Sequence, residues 1–253
     1  MSRIHLHFDM HIGRQKPESI TNRETSCPFC KRDELTGILE KRGEIIWLKN
    51  KYPVLQAASQ TVLIETDQCD SDLSEYPKAH LHSLFAFGFE KWLEMERSGS
   101  FRSVMFFKNH GPYSGGSIRH PHMQIVGLDH VDCHQDVRAS DFEGILIDQA
   151  DGVVCNLSTK PRVGFFEYNV IMPEEGNLSQ LADYTQIVTH WILNHVNRRH
   201  QSYNLFFYRW DGQIIVKIVP RFVASPLYIG YGIPQVCNNL EEVVREFRHR
   251  YFS

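Results

Sequence analysis

At 253 residues the chain has room for one large domain or two of ordinary size, and for a substantial core. Its 42% hydrophobic and 23% charged residues are those of a globular protein, and a net charge of −3 gives no basic footprint, which argues against nucleic acid as a partner. No stretch approaches a membrane span and the N-terminus lacks the apolar core of a signal peptide, so a cytoplasmic home with no membrane partner is expected.

In a reducing compartment the six cysteines read as thiols or metal ligands rather than three disulfides, and 14 histidines point towards metal or phosphate chemistry. Near the N-terminus His5, His7 and His11 surround Asp9, and alternating histidines on a first strand serve as metal ligands in barrel-type hydrolases. A barrel needs about eight strand–helix repeats, which the rest of the chain does not offer. Cys27-Pro-Phe-Cys30 follows in a polar setting. Two cysteines with two residues between them form a knuckle that can give two thiolates to a tetrahedral zinc, whereas a redox motif should follow a strand and open a helix. Zinc is the expected cofactor, and one pair is half a site.

Apolar runs predict strands near 44–50 and 61–66; Leu81, Leu84, Phe85, Trp92 and Met95 predict a helix near 76–97, with strands following near 103–110 and 120–128. The pattern then recurs. Strands near 152–158 and 165–173 precede a helix near 178–199 carrying Leu181, Tyr184, Ile187, Val188, Trp191 and Ile192. Strands near 203–210 and 213–222 are joined at the turn signal Trp210-Asp-Gly-Gln. The expected fold class is α+β, two tandem ββαββ units with antiparallel sheets and an internal duplication. The units span 1–130 and 131–253, and a helix from Leu240 to about Phe252 closes the chain.

One stretch carries the chemistry: Lys108-Asn-His-Gly-Pro-Tyr-Ser-Gly-Gly-Ser-Ile-Arg-His-Pro-His-Met-Gln-Ile125. Amides around Gly115 and Gly116 can face an anion. The strand that follows puts His120, His122 and Gln124 on one face, successive pairs roughly 6–7 Å apart. Ile125, Val126 and Leu128 anchor it in the core. Arg119 and Lys108 add charge, Arg119 on the face opposite His120 by alternation. In the last strand of the second unit, Ile214-Ile-Val-Lys-Ile-Val-Pro-Arg-Phe222, these histidines have no counterpart, so only the first unit is expected to be catalytic.

His120-Pro-His-Met-Gln124 resembles the His-Pro-His-x-Gln motif of the galactose-1-phosphate uridylyltransferase branch of the histidine-triad (HIT) superfamily, and the likeness spans most of the chain. It implies two HIT-like units, the first with the zinc knuckle and catalytic motif, the second degenerate. It also implies that His120 closes a structural metal site with Cys27 and Cys30. The remaining ligand would be Cys69, standing just after the second strand in place of the transferases' histidine, with His80 and His82 as competitors. Asn109 and Ser117 fall at offsets where those transferases place phosphate contacts, and Asn50 at a nucleoside contact. Lys51 replaces their aspartate, so a uridine preference does not follow. Ser225-Pro-Leu-Tyr-Ile-Gly-Tyr-Gly232 resembles the segment that touches the hexose phosphate, but Pro226 and Gly232 replace its lysine and glutamate, and galactose does not follow either.

Phosphoryl oxygens repel nucleophiles, so such a site must supply donors that neutralise them and hold attack in line. Asn109, the Gly115 and Gly116 amides, Ser117 and Gln124 are donors of that kind. His122 is the expected nucleophile, because a neutral imidazole attacks near pH 7 and leaves readily from the resulting phosphoramidate. The expected reaction is that of a nucleotidyltransferase or phosphorylase, ping-pong transfer of a nucleoside monophosphate from a nucleotide, nucleotide sugar or dinucleotide to phosphate or a sugar phosphate. Hydrolytic HIT proteins carry a third histidine where Gln124 stands, which favours transfer over hydrolysis. The alternatives are a nucleotide hydrolase and a non-catalytic, zinc-stabilised nucleotide-binding module. Duplicated units suit either a self-sufficient chain or a homodimer.

Overall fold

The computed structural model describes residues 5–196, 198–199 and 201–252. Met1–Ile4, Asn197 and His200 around the expected end of the second helix, and Ser253 lie outside the described residues. The chain divides into two compact units, Met1–Asp72 with Ser83–Asp136, and Leu73–His82 with Val137–Ser253. Each is α+β with an antiparallel sheet.

The first unit opens with helix α1 (Met10–Gln15), capped by the Asp9 carboxylate, which accepts from the amides of His11 and Ile12. Its strands are β1 (Ile38–Arg42), β2 (Ile45–Lys49) and β3 (Ala58–Ile64); after helix α2 (Lys78–Arg97) come β4 (Ser103–His110) and β5 (His122–Leu128). The spatial order is β1-β2-β3-β5-β4, so β3 and β5 lie inside the sheet. One face packs on the Ser83–Arg97 part of α2. Gly88 permits the approach, since a Cβ there would sit 2.9 Å from the Phe106 ring, and Phe89 and Trp92 close around the same ring. Val62 and Ile64 turn to the other face, joining Ile46, Leu48, Cys27 and Phe29 in a second cluster. Burial on both faces accounts for the apolar stretches Val62–Ile64 of β3 and Ile125–Val126 of β5.

The second unit contains β6 (Gly144–Ala150), β7 (Val153–Ser158), β8 (Tyr168–Pro173), α3 (Leu178–Trp191), β9 (Tyr203–Trp210) and β10 (Gln213–Pro220). Its order is β9-β10-β8-β7-β6. Helices α4 (Pro226–Tyr231) and α5 (Leu240–Tyr251) follow. The stretch Ser225–Gly232 is thus mostly helical, with the Ser225 hydroxyl capping its start. The helix expected over 178–199 leaves α-geometry at Trp191 and continues as a π-helical stretch, Ile192–Val196.

Both units run strand, strand, strand, helix, strand, strand, one strand more than the ββαββ pattern. The extra strands, β1 and β6, are edges whose side chains are mostly exposed or half-buried, and their apolar stretches, Ile38-Leu39 and Ile145-Leu146-Ile147, are short. The units differ most between their last two strands. Asp211 and Gly212, with φ of 51° and 70°, make a tight hairpin between β9 and β10. The connection from β4 to β5 instead runs through 111–121. On the face turned away from α3, β10 carries Ile215, packed on Val137 and Phe142, and Lys217, bonded to Asn169 and the Asp141 carbonyl, with no histidine. Among the described residues no helix is long and apolar enough to cross a membrane.

Candidate functional site

The Cys27–Cys30 knuckle lies beside the loop that leaves β3, bringing Cys27, Cys30, Cys69 and His120 together with their ligand atoms all within 4.8 Å of one another. A zinc tetrahedron with bonds of about 2.0–2.3 Å has edges of roughly 3.5–3.8 Å, so the cluster is a slightly expanded version of one. His120 is oriented for this. Its Nε2 lies 2.8 Å from the Thr66 carbonyl, which can only accept, so Nε2 carries the proton and Nδ1, 3.6 Å from the Cys30 sulfur, keeps its lone pair. Burial and the neighbouring thiols push Cys30 up to about 12, and burial raises Cys27 as well. A divalent cation is the partner that would let such crowded sulfurs ionise. All six cysteines are free thiols.

His80 and His82 take no part in this cluster; His82 Nε2 is 2.8 Å from Asp183 within the second unit. His5, His7 and His11 belong to no metal-competent group among the described residues. Arg119 is not merely a surface residue, since its Nη2 reaches within 3.7 Å of the Cys69 sulfur and its Nε within 3.2 Å of Asp70. Lys108 is buried and paired with the equally buried Glu65, so it is no substrate contact.

The expectation that His120, His122 and Gln124 share a wall holds only for the last two. β5 begins at His122, and His120, ahead of Pro121, is turned to the cysteines. His122 and Gln124 line a cleft of about 200 Å³ with Gln60 and Val62 of β3, Phe107 and Asn109 of β4, and Gly115, Gly116 and Ser117 of the connecting loop. The His122 Nδ1 is 2.8 Å from the carbonyl of His120, which fixes the proton on Nδ1 and leaves Nε2 the nitrogen with a free lone pair. Burial, aided by the charge of Lys108, pulls the His122 pKa down to about 4, so the ring is neutral at pH 7. Phe29, between the two knuckle cysteines, packs edge-on against His120 and His122, with ring centroids 5.9 and 5.3 Å away. A second, mainly apolar recess of about 120 Å³ adjoins the cleft through shared walls at Phe29, Asn50, Tyr52, Val62 and Ile118. Asn50 is held by its own turn, its Oδ1 accepting from the Tyr52 amide at 2.9 Å.

An N-terminal segment completes the cleft. Lys16 lines it with a half-buried ammonium whose pKa burial lowers, and Pro17 lies beside it. Glu18 folds the chain here: its carboxylate accepts from the amides of Ile20, Thr21 and Asn22 and from the Thr21 hydroxyl, which holds its pKa down at about 2. A depressed carboxylate contributes stability that is present above its unfolded value, about 4.3, and lost as pH falls towards about 2. The urea midpoint of the wild type should therefore exceed that of Glu18→Gln at pH 6, and the gap should narrow at pH 3. An equal gap at both values would show that the carboxylate's charge is not what matters.

Residues 8–131 match the family model described as the N-terminal domain of a domain of unknown function, DUF4931, and residues 134–252 match its C-terminal domain. A DUF4931 family protein from Bacillus cereus ATCC 10987 has a crystal structure similar to this one, with 42% identity, 85% of this chain and 100% of that chain covered, and a TM-score of 0.78. The chain belongs to the DUF4931 family. This DUF4931 chain also shares its fold with an ADP-glucose phosphorylase from Arabidopsis thaliana solved with bound ADP-glucose, at 16% identity, 90% coverage of each chain and a TM-score of 0.74. A uridylyltransferase structure is similar at 19% identity, covering 88% of this chain and 90% of that one, with a TM-score of 0.70. No curated protein matches the sequence. The resemblance seen in His-Pro-His-x-Gln is thus matched by the fold.

Sequence reasoning missed Lys16, Phe29, Gln60 and Thr66. Phe29 could have been found, lying inside the knuckle motif. The others act through positions that folding brings together, and no local spacing marks them.

Proposed function

We propose that this chain is a nucleotidyltransferase or phosphorylase that moves a nucleoside monophosphate from a nucleotide sugar or dinucleotide to phosphate or a sugar phosphate through a nucleotidyl-His122 intermediate. The observation that carries the reading is a neutral imidazole, its Nδ1–H held by the His120 carbonyl, lining a cleft together with Asn109, Gly115, Gly116, Ser117 and Gln124. The Nε2 lone pair attacks the α-phosphorus as the bond to the β-side oxygen breaks, and the leaving phosphate departs with that electron pair. Because Nδ1 keeps its proton, the nucleotidyl-imidazole is cationic and a good leaving group. An acceptor oxygen then attacks phosphorus, the P–N bond breaks, and neutral His122 returns.

Gln124, Asn109 and the loop amides would donate to the non-bridging oxygens. The Lys16 ammonium would meet the leaving or incoming phosphate, and the apolar recess beside Asn50 and Phe29 would take the base. Cys27, Cys30, Cys69 and His120 would hold a zinc ion; with four protein ligands it supplies structure, not an open coordination position. The second unit, with no histidine on β10 and a tight turn in place of the anion loop, would be a degenerate copy from a duplication. A homodimer is compatible with the duplicated plan.

The test is covalent capture. Brief incubation with α-32P-labelled ADP-glucose, UDP-glucose or a diadenosine polyphosphate should leave acid-labile label on the protein, approaching about one equivalent per chain, as a ping-pong intermediate requires. No label from any of them would reject the reading. Tight binding by calorimetry that His122→Ala leaves unchanged, with no product formed, would identify a nucleotide-binding module instead.

A further inference from the structure

Ser19, a buried residue of the N-terminal segment, grips the anion loop on both sides of one residue. Its amide donates to the Ser117 carbonyl at 2.8 Å, and its hydroxyl accepts from the Arg119 amide at 3.1 Å. Between these bonds stands Ile118, whose side chain lines both the cleft and the apolar recess. In a trans peptide the carbonyl of one residue and the amide of the next point in opposite directions. With the Ser117 carbonyl drawn to Ser19, the Ile118 N–H is turned away from the N-terminal segment. Among the described residues neither that N–H nor the Ser117 N–H has a hydrogen-bond partner, although both residues line the cleft. A little upstream, the Ser114 hydroxyl donates to the Gly111 carbonyl at 2.6 Å and accepts from the Gly116 amide at 3.2 Å, and Gly115 takes a φ of 84°, so the loop is fixed from within as well.

We infer that Ser19 is a positioning residue: by clamping Ser117 and Arg119 it presents the Ser117 and Ile118 amides to a phosphate group in the His122 cleft. The inference rests on the nucleotide reading above and adds a residue outside its motif. Without the hydroxyl the Arg119 amide loses its acceptor inside the protein, and the loop is held on one side only, by the Ser19 amide, so the Ser117 and Ile118 peptides are less firmly fixed. Preorganised donors are worth most when they need not turn at the moment of binding.

Isothermal titration of ADP, UDP and the parent nucleosides into the wild type, Ser19→Ala and Ser19→Thr separates the possibilities. Ser19→Ala should weaken the better-bound nucleoside diphosphate about tenfold while its nucleoside changes less than about twofold, and Ser19→Thr, which keeps the acceptor oxygen, should restore the affinity. Amide hydrogen exchange should speed up at Ser117–Arg119 in the alanine variant and return in the threonine one. Equal losses for diphosphate and nucleoside, or a diphosphate affinity unchanged in Ser19→Ala, would overturn the role of Ser19 and leave the nucleotide reading standing. Failure of the wild type to bind either diphosphate would take both down.

Discussion

Replacing His122 with alanine should lower turnover by on the order of ten-thousandfold or more, because in the proposed reaction it removes the atom that bonds to phosphorus. Gln124→Ala should be milder, a loss of about 10²–10³, the usual cost of removing one donor to a developing charge. The contrast is the informative part. Both residues line the same cleft from alternate positions of β5, so a general disturbance of the strand would depress both alike. A nucleophile and a donor differ in another way. Gln124→Ala should still take up label from a nucleotide substrate, slowly, whereas His122→Ala should take up none. Stopped-flow or rapid-quench measurement of the first half-reaction, with the released sugar phosphate quantified, decides the matter. A His122→Ala variant within a hundredfold of wild type would mean that phosphorus is attacked by water or by the acceptor directly, and the ping-pong scheme would fall. Neutrality of the ring follows from its burial.

The parts of the fold legible in the sequence were those whose side chains are buried on both faces or at helical spacing. β2, β3 and β5, with Ile45, Val62, Leu63 and Ile125, announce themselves because a strand inside a sheet must be apolar along its length. The edge strands β1 and β6 do not, since half of each faces water and the alternation is indistinct. The meeting of Cys27 and Cys30 with Cys69 and His120 came from family resemblance. No spacing rule links residues some ninety positions apart, and only the antiparallel pairing of β3 with β5 sets the Thr66–Cys69 loop beside His120. Strict alternation misled at one point. Proline at 121 delays the strand until His122, so His120 is released from the β5 register and turns to the cysteines. The role of the N-terminal segment was invisible for a related reason, because Ser19 works through two backbone bonds to residues a hundred positions away, and serine in a polar stretch carries no pattern.

Cys27→Ser should cost the first unit the zinc proposed for its cluster and much of its stability, with metal falling from about one equivalent per chain to near none. The knuckle cluster has few other supports. Cys27 and Phe29 are the buried anchors of a polar loop packed on Ile46, Leu48, Val62 and Ile64. Without a shared cation three thiols and an imidazole within 4.8 Å of one another supply little mutual attraction. Losing about 3–5 kcal/mol, as for breaking other buried charge clusters, should lower the melting temperature by roughly 10–15 °C. Cys133→Ser is the matched control: Cys133 is also partly buried in the first unit but lies outside the cluster, so metal content should be unchanged. Metal analysis by mass spectrometry and scanning calorimetry read the two quantities separately, and a wild type that purifies without metal yet melts as high as the zinc-loaded protein would dispose of the site. The effect should also reach the chemistry. His120 donates its Nε2 proton to Thr66, offers Nδ1 to the cluster, and through its own carbonyl fixes the proton of His122. A loosened His120 therefore frees the His122 ring to rotate or change tautomer, and Cys27→Ser should lose turnover at temperatures well below its own melting point.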